Sequence, residues 1–254
     1  MIVVDRGPEI LLVTQPDHAH FSGELLGLWR ADGLPEHPRR AEILFAGREH
    51  DNGWREADAA PRWDSSGNSG RGRPHDFVSM PREERIAIWE RGTARFAGSH
   101  PYAALLIARH ARALHRDRVG EAGWEGFFAY LDELERGLSE ETGATPEEVA
   151  ADYRFLDLAD LISLAAVNGA PERFSRHGMT GRLDGGTVVL DPFPLAGSTA
   201  FAVPCRRIPN RPYAGDADLG GELAAARWET VAVRLAPEPA QKEPSCRPSS
   251  SDTP

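Results

Sequence analysis

The stretch from Phe155 to Ala166, FLDLADLISLAA, constrains this chain more than any other. Its periodicity is that of a buried helix, and it places Asp160 among Leu156, Ala159, Leu161 and Leu164. An unpaired carboxylate in such surroundings is strongly disfavoured. Asp160 therefore needs a cation, an arginine or a set of hydrogen bonds brought from elsewhere in the chain. Asp157, one turn earlier, is a near neighbour for the same site or a supporting group.

Three earlier helical patterns each offer a partner. His18 aligns with Phe21, Ser22, Leu25 and Trp29, whereas His20, turned about 200° away, aligns with Glu24 and Gly27 on the polar side. In the run AGREHDNGW, His50 and Asp51 border a stripe of Ile43, Leu44 and Gly47, and Asn52-Gly53 suits a helix end. His110 lies on the apolar stripe of Ala103, Leu106, Ile107 and Leu114. His115 reads as a solvated helix end, and His100 sits near a helix start. Each residue taken alone has an ordinary reading, as a helix cap, a satisfied core histidine or half of a buried Asp–Arg pair. Taken together, imidazoles and carboxylates carried into an apolar interior by four helices point to a divalent cation.

Around this set, Trp54 and Asp58 follow the His-Asp pair and are candidates for a pocket mouth that contacts substrate. His75-Asp76 is a second His-Asp pair in loop context, and His75 is a candidate in a lid or pocket wall. No phosphate-binding Gly-rich loop, dinucleotide fingerprint or nucleophile elbow is present. Two cysteines, Cys205 and Cys246, do not make a disulfide framework. The formal net charge of −10 argues against a nucleic-acid partner. The start of the chain is no signal peptide, and no apolar run approaches a membrane span. The expectation is a cytoplasmic protein acting on a small molecule.

The pattern along the chain divides it into a β-hairpin at 1–14, a helical domain at 15–167, a β-rich extension at 168–236 packed on that domain, and a disordered tail at 237–254. Helices are expected from Asp17 to before Gly33, from Pro38 to Asp51, from Pro81 to Phe96, from Pro101 to Leu114, from Gly123 to Thr142 and from Thr145 to Val167. Residues 62–74 form a Gly/Ser-rich loop. Strands are expected at Met1–Asp5, Glu9–Thr14, Thr187–Leu190, Thr199–Arg206 and Trp228–Leu235, with the terminal strands in one sheet.

The order His18, His50-Asp51, His110, Asp160 on successive helices resembles the HD-domain metal-dependent phosphohydrolase superfamily, over roughly residues 15–167. The strings QPDHA, HDNGW and DLISL look like an uncharacterised bacterial branch of it, with no assigned function. The resemblance implies a mainly α fold, an HD-like helical bundle with small antiparallel β additions from both termini (α+β overall). It implies one or two metal ions (Mn, Fe, Mg, Co, Ni or Zn) held by His18, His50, Asp51 and Asp160, with Asp51 bridging where there are two. His110 would serve a second ion or the leaving group, and Asp51 and His110 would be the catalytic pair in hydrolysis of a phosphorylated small molecule or nucleotide. An iron-dependent oxygenase on the same scaffold and a non-catalytic metal- or ligand-binding module are the alternatives.

Overall fold

The computed structural model describes residues 1–65 and 72–239. β1 (Ile2–Asp5) and β2 (Glu9–Val13) form an antiparallel hairpin. Helices α1 (Gln15–Leu28), α2 (Arg40–Glu49), α3 (Arg55–Ala59), α4 (Arg82–Ala94), α5 (Pro101–Leu114), α6 (Glu125–Thr142) and α7 (Pro146–Asn168) follow. A two-residue ladder joins β3 (Trp63–Asp64) to β4 (Arg73–Pro74). The C-terminal part adds β5 (Arg173–Arg176), β6 (Met179–Asp184), β7 (Thr187–Asp191), β8 (Thr199–Pro209), α8 (Asp216–Ala225) and β9 (Trp228–Pro237).

Local chemistry sets the ends of the helices that matter for the site. Thr14 Oγ1 accepts from the Asp17 N–H, with Pro16 in the first turn of α1. Thr145 and Glu148 form a reciprocal capping box before α7, and Gly169, in the left-handed region, closes it.

The seven-stranded sheet runs β1-β2-β8-β9-β7-β6-β5. β7 and β9 are parallel, and the other neighbours pair antiparallel. The pleat sends Ile2, Val4, Leu11 and Val13 to the face that also carries Val203, Val233 and Leu235. There they share one core with Leu25, Ile43, Leu106 and Leu156 of the helices, and the Phe21 and Phe201 rings lie 4.8 Å apart. The alternate residues Met1, Ile10, Leu12 and Ile208 pack on the other face under Leu219 and Leu223 of α8.

This α/β arrangement overturns the expectation of a mainly α, HD-like helical bundle with small antiparallel additions. Strands from both ends of the chain build one continuous mixed sheet, and the helices lie as a layer upon it. Two physical reasons hid this. β5 reads RFSR, without apolar alternation, because it is an edge strand with no buried residue, and β6 beside it reads MTGRLD, in which Met179 and Gly181 are buried. The β7–β9 pair joins strands separated by β8 and α8, and such non-local pairing leaves no local pattern. The short, Ala- and Asp-rich helices α3 and α8 also escaped the periodicity analysis. Residues 240–254, with Cys246, and residues 66–71 of the Gly/Ser loop lie outside the described residues. Among the described residues, no helix is long and apolar enough to cross a membrane.

Candidate metal centre

Four helices deliver the five candidate ligands to one buried point. His18 lies on α1, His50 closes α2, Asp51 opens the 3-10 turn Asn52–Trp54, His110 lies on α5 and Asp160 on α7. Close backbone approach makes this possible. A Cβ on Gly47 would sit 2.5 Å from Leu26 Cδ1, and one on Gly23 would sit 2.7 Å from Arg48 Cβ, so α1 and α2 touch through glycines. A Cβ on Gly53 would sit 2.1 Å from the Ile88 carbonyl oxygen of α4. Asn52 Nδ2 donates to the carbonyls of Glu49 (2.8 Å) and Gly92 (2.9 Å), locking the turn that aims Asp51.

His18 Nε2 is 2.9 Å from Asp160 Oδ1 and 3.8 Å from Asp51 Oδ2. His50 Nε2 is 3.4 Å from Asp160 Oδ1 and 3.5 Å from Asp51 Oδ2, and His110 Nε2 is 3.8 Å from Asp160 Oδ2. Donor atoms bound to one ion at about 2.1 Å lie about 3.0–3.4 Å from their neighbours in octahedral or tetrahedral geometry. The cluster resolves into two triads that share His50, namely His18, His50 and Asp51, and His50, His110 and Asp160. Asp160 turns Oδ1 toward His18 and His50 and Oδ2 toward His110, so the carboxylate spanning the cluster is Asp160 rather than Asp51.

The outer hydrogen bonds orient all three rings alike. His50 Nδ1 lies 2.9 Å from the Gly47 carbonyl, which can only accept. His18 Nδ1 lies 2.7 Å from Ser163 Oγ, whose own hydroxyl donates to the Asp160 carbonyl. His110 Nδ1 lies 3.1 Å from Tyr153 Oη, and Tyr153 donates in turn to Asp157 Oδ1 at 3.3 Å. This network assigns the N–H to Nδ1 in each neutral ring and turns each Nε2 lone pair toward the carboxylates. Lone pairs facing carboxylate oxygens repel unless a proton or a cation lies between them. His50 Nε2 is buried with no hydrogen-bond partner, the condition a metal ligand satisfies when loaded.

Electrostatics agree. Burial opposes a charge on His50, yet Asp51 and Asp160 hold its pKa well above the ordinary histidine value. Burial also opposes ionisation of Asp160, yet its hydrogen bond with His18 and the nearby His50 and His110 hold it well below the usual carboxylate range. His110, where burial dominates, is pushed down to about 4. A divalent cation at the cluster would take the place of the proton that the neighbouring carboxylates hold on His50.

A cavity of about 480 Å³ opens onto Asp51, His110 and Asp160, walled by Trp54, Phe77 and Trp89. Arg85, His115 and Arg118 line it farther out. Of the residues expected at the mouth, Trp54 is in the wall. Asp58 is buried and spent on the backbone: Oδ1 accepts from the Met1 amino group and Oδ2 from the Gln15 N–H, each at 2.6 Å. His75 does not line the cavity; its Nδ1 lies 3.3 Å from Ser79 Oγ, and its loop contributes Phe77 and Val78 instead. His100 stacks on Phe45 and pairs with Glu42, away from the cluster. His20 is partly exposed, 4.0 Å from Glu49.

His115 is a correction. It is buried against Trp124 with Nδ1 on the Ala111 carbonyl at 2.8 Å, because the chain after α5 folds back over what looked like a free helix end. Sequence reasoning also missed Ser163, Tyr153, Arg85 and Arg118. Ser163, one turn after Asp160, carried a readable signal. Tyr153 became meaningful only beside Asp157, which Arg176 Nη1 (3.0 and 2.8 Å) and His177 Nε2 (2.7 Å) hold from the β5–β6 turn.

No curated protein and no solved structure matches the chain. A family profile described as protein of unknown function (DUF3891) matches residues 1–210, from β1 through β8 and including all five clustered residues. With the greater part of its length matched, the chain belongs to the DUF3891 family.

Proposed function

We propose that this chain is a metal-dependent hydrolase of phosphorylated small molecules. One observation carries the proposal: three buried imidazole Nε2 atoms face two carboxylates where a cavity opens onto them. The order of these residues along the chain, similar to that of the HD-domain phosphohydrolases, supports it. His18, His50, Asp51 and Asp160 would hold a first ion, and His110 with the far oxygen of Asp160 a second. A divalent cation supplies Lewis-acid chemistry when bound, lowering the pKa of a coordinated water and neutralising charge on phosphoryl oxygens.

The rest falls to the chain's own groups. Gly47, Ser163 and Tyr153 fix the imidazole rings by accepting hydrogen bonds from their Nδ1–H groups. His110, held down to about 4, stays neutral near pH 7 and acts as a ligand rather than a proton donor. Trp54, Phe77 and Trp89 exclude water around the organic part of the substrate.

The test is metal analysis of the purified protein, followed by phosphomonoester and phosphodiester panels with Mn²⁺, Mg²⁺, Co²⁺, Ni²⁺, Zn²⁺ and Fe²⁺. The expected result is metal-dependent hydrolysis that Asp51→Ala abolishes while helical circular dichroism is kept. Full metal occupancy in that variant would overturn the assignment. So would substrate-dependent oxygen uptake by the iron form, which marks an oxygenase, or a metabolite that raises Tm without turnover, which marks a binding module.

A further inference from the structure

The outer half of the cavity carries two arginines, one of them without an ion-pair partner among the described residues. Arg85 of α4 is half-buried, and its Nη2 donates to the carbonyls of Val78 (2.5 Å) and Met80 (2.8 Å). Its Nε is buried without a partner, and among the described residues no carboxylate lies within ion-pair distance of it. Arg118, half-exposed in the 3-10 turn Arg116–Arg118 after α5, pairs with Glu121 at 2.8 Å. His115, at the end of α5, spends its Nδ1–H on a carbonyl, so its neutral ring adds no donor to the recess. The acids nearby are Asp117, exposed in the same wall, and Asp76, which is engaged by Arg73. The Trp89 ring stands between this group and the metal centre, 5.8 Å from the His115 ring and 5.9 Å from the His110 ring. Burial lowers the pKa of Arg85 and the charge of Arg118 lowers it further, as expected of like charges sharing one recess, and burial with both arginines lowers that of His115.

We propose that Arg85 and Arg118 form a second anion subsite, so that the substrate carries two anionic groups: a phosphoryl group at the His/Asp cluster and another anion one indole ring away. This rests on the reading of the cluster as the phosphoryl end. A guanidinium with an unsatisfied N–H and a second guanidinium on a separate chain segment suit the oxygens of a phosphate or carboxylate. The aromatic and aliphatic wall between the two ends fits a short organic linker.

The test is calorimetric titration of the Mn²⁺-loaded protein with methylphosphonate and with short alkane bisphosphonates of increasing length. The best bisphosphonate is expected to bind at least tenfold more tightly than methylphosphonate. Arg118→Gln and Arg85→Gln should each remove at least fivefold of that gain, leaving Mn²⁺ and methylphosphonate affinities unchanged. Arg85→Gln also frees two loop carbonyls, so Arg118→Gln, on an exposed turn, is decisive. A gain that survives Arg118→Gln overturns the subsite. Failure to take up Mn²⁺ would sink the hydrolase reading alone, because bisphosphonate binding to the ion-free protein still reports the subsite: sensitivity to Arg118→Gln keeps it and insensitivity overturns it.

Discussion

Gly53→Ala tests how the fold aims Asp51. The added Cβ would lie 2.1 Å from the Ile88 carbonyl oxygen and 3.0 Å from Gly92 Cα. Both neighbours are backbone, so no rotamer change relieves the contact, and the turn and α4 must part by about 1 Å. Overpacking of that kind costs about 1–3 kcal/mol. The same seam carries Asn52 Nδ2 to Gly92 O and Arg91 Nη2 to Gly53 O, and stretching them adds about 1 kcal/mol. A loss of about 3 kcal/mol in a chain this size lowers Tm by about 6–12 °C. A ligand shift of about 1 Å also exceeds the ~0.2 Å tolerance of coordinate bonds, so Mn²⁺ affinity should fall by at least tenfold. Gly137→Ala, at an open, exposed position in α6, is the control and should stabilise by about 0.5–1 kcal/mol. Urea unfolding and calorimetric Mn²⁺ titration read both effects. Wild-type stability and Mn²⁺ affinity in Gly53→Ala would refute the reasoning.

Tyr153→Phe removes the acceptor for His110 Nδ1–H while Asp157 keeps Arg176 and His177, so the second Mn²⁺ should weaken by about 10–100-fold with the first unchanged. Paramagnetic resonance would show the coupled ion pair lost, and an unchanged spectrum would count against the His110 role. Acid should destabilise the ion-free protein through His110: with a folded pKa of about 4 against an ordinary value of about 6.5, it contributes about 3 kcal/mol that is fully present above about pH 6.5 and lost as pH falls toward 4. Asp160, held below its ordinary value, adds to the loss at still lower pH. His50 works in the opposite sense: its raised pKa gives stability that is fully present below about pH 6.5 and is lost as pH rises through the folded value. Tm against pH should therefore fall on the alkaline side without metal, and saturating Mn²⁺ should remove that fall. An alkaline flank indifferent to Mn²⁺ would contradict the exchange of a proton for an ion.

Helical periodicity made the cluster legible because it reports which face of a helix carries a residue. His18, His50, Asp51, His110 and Asp160 each stood out as polar groups beside an apolar stripe, and the structure brings them together. Periodicity does not report what a helix end or loop residue packs against. His115 therefore looked solvated, and Asp58 and His75 looked available, although backbone donors and Ser79 occupy them. The sheet was harder to read for the same reason. β2 and β8 pair across most of the chain's length, and β5, the edge strand, needs no apolar alternation. The cationic recess was not legible at all, since Arg85 and Arg118 meet only after α4 and α5 pack.

Diffraction from crystals grown with Mn²⁺, measured for anomalous scattering, tests the metal centre most directly. The expected result is an anomalous peak about 2.0–2.3 Å from His50 Nε2 and from a carboxylate oxygen of Asp160, with a second peak toward His110 if a second ion binds there. Saturating Mn²⁺ with no peak in the cluster, and His18 still bonded directly to Asp160, would show that the five side chains form only a buried hydrogen-bonded network.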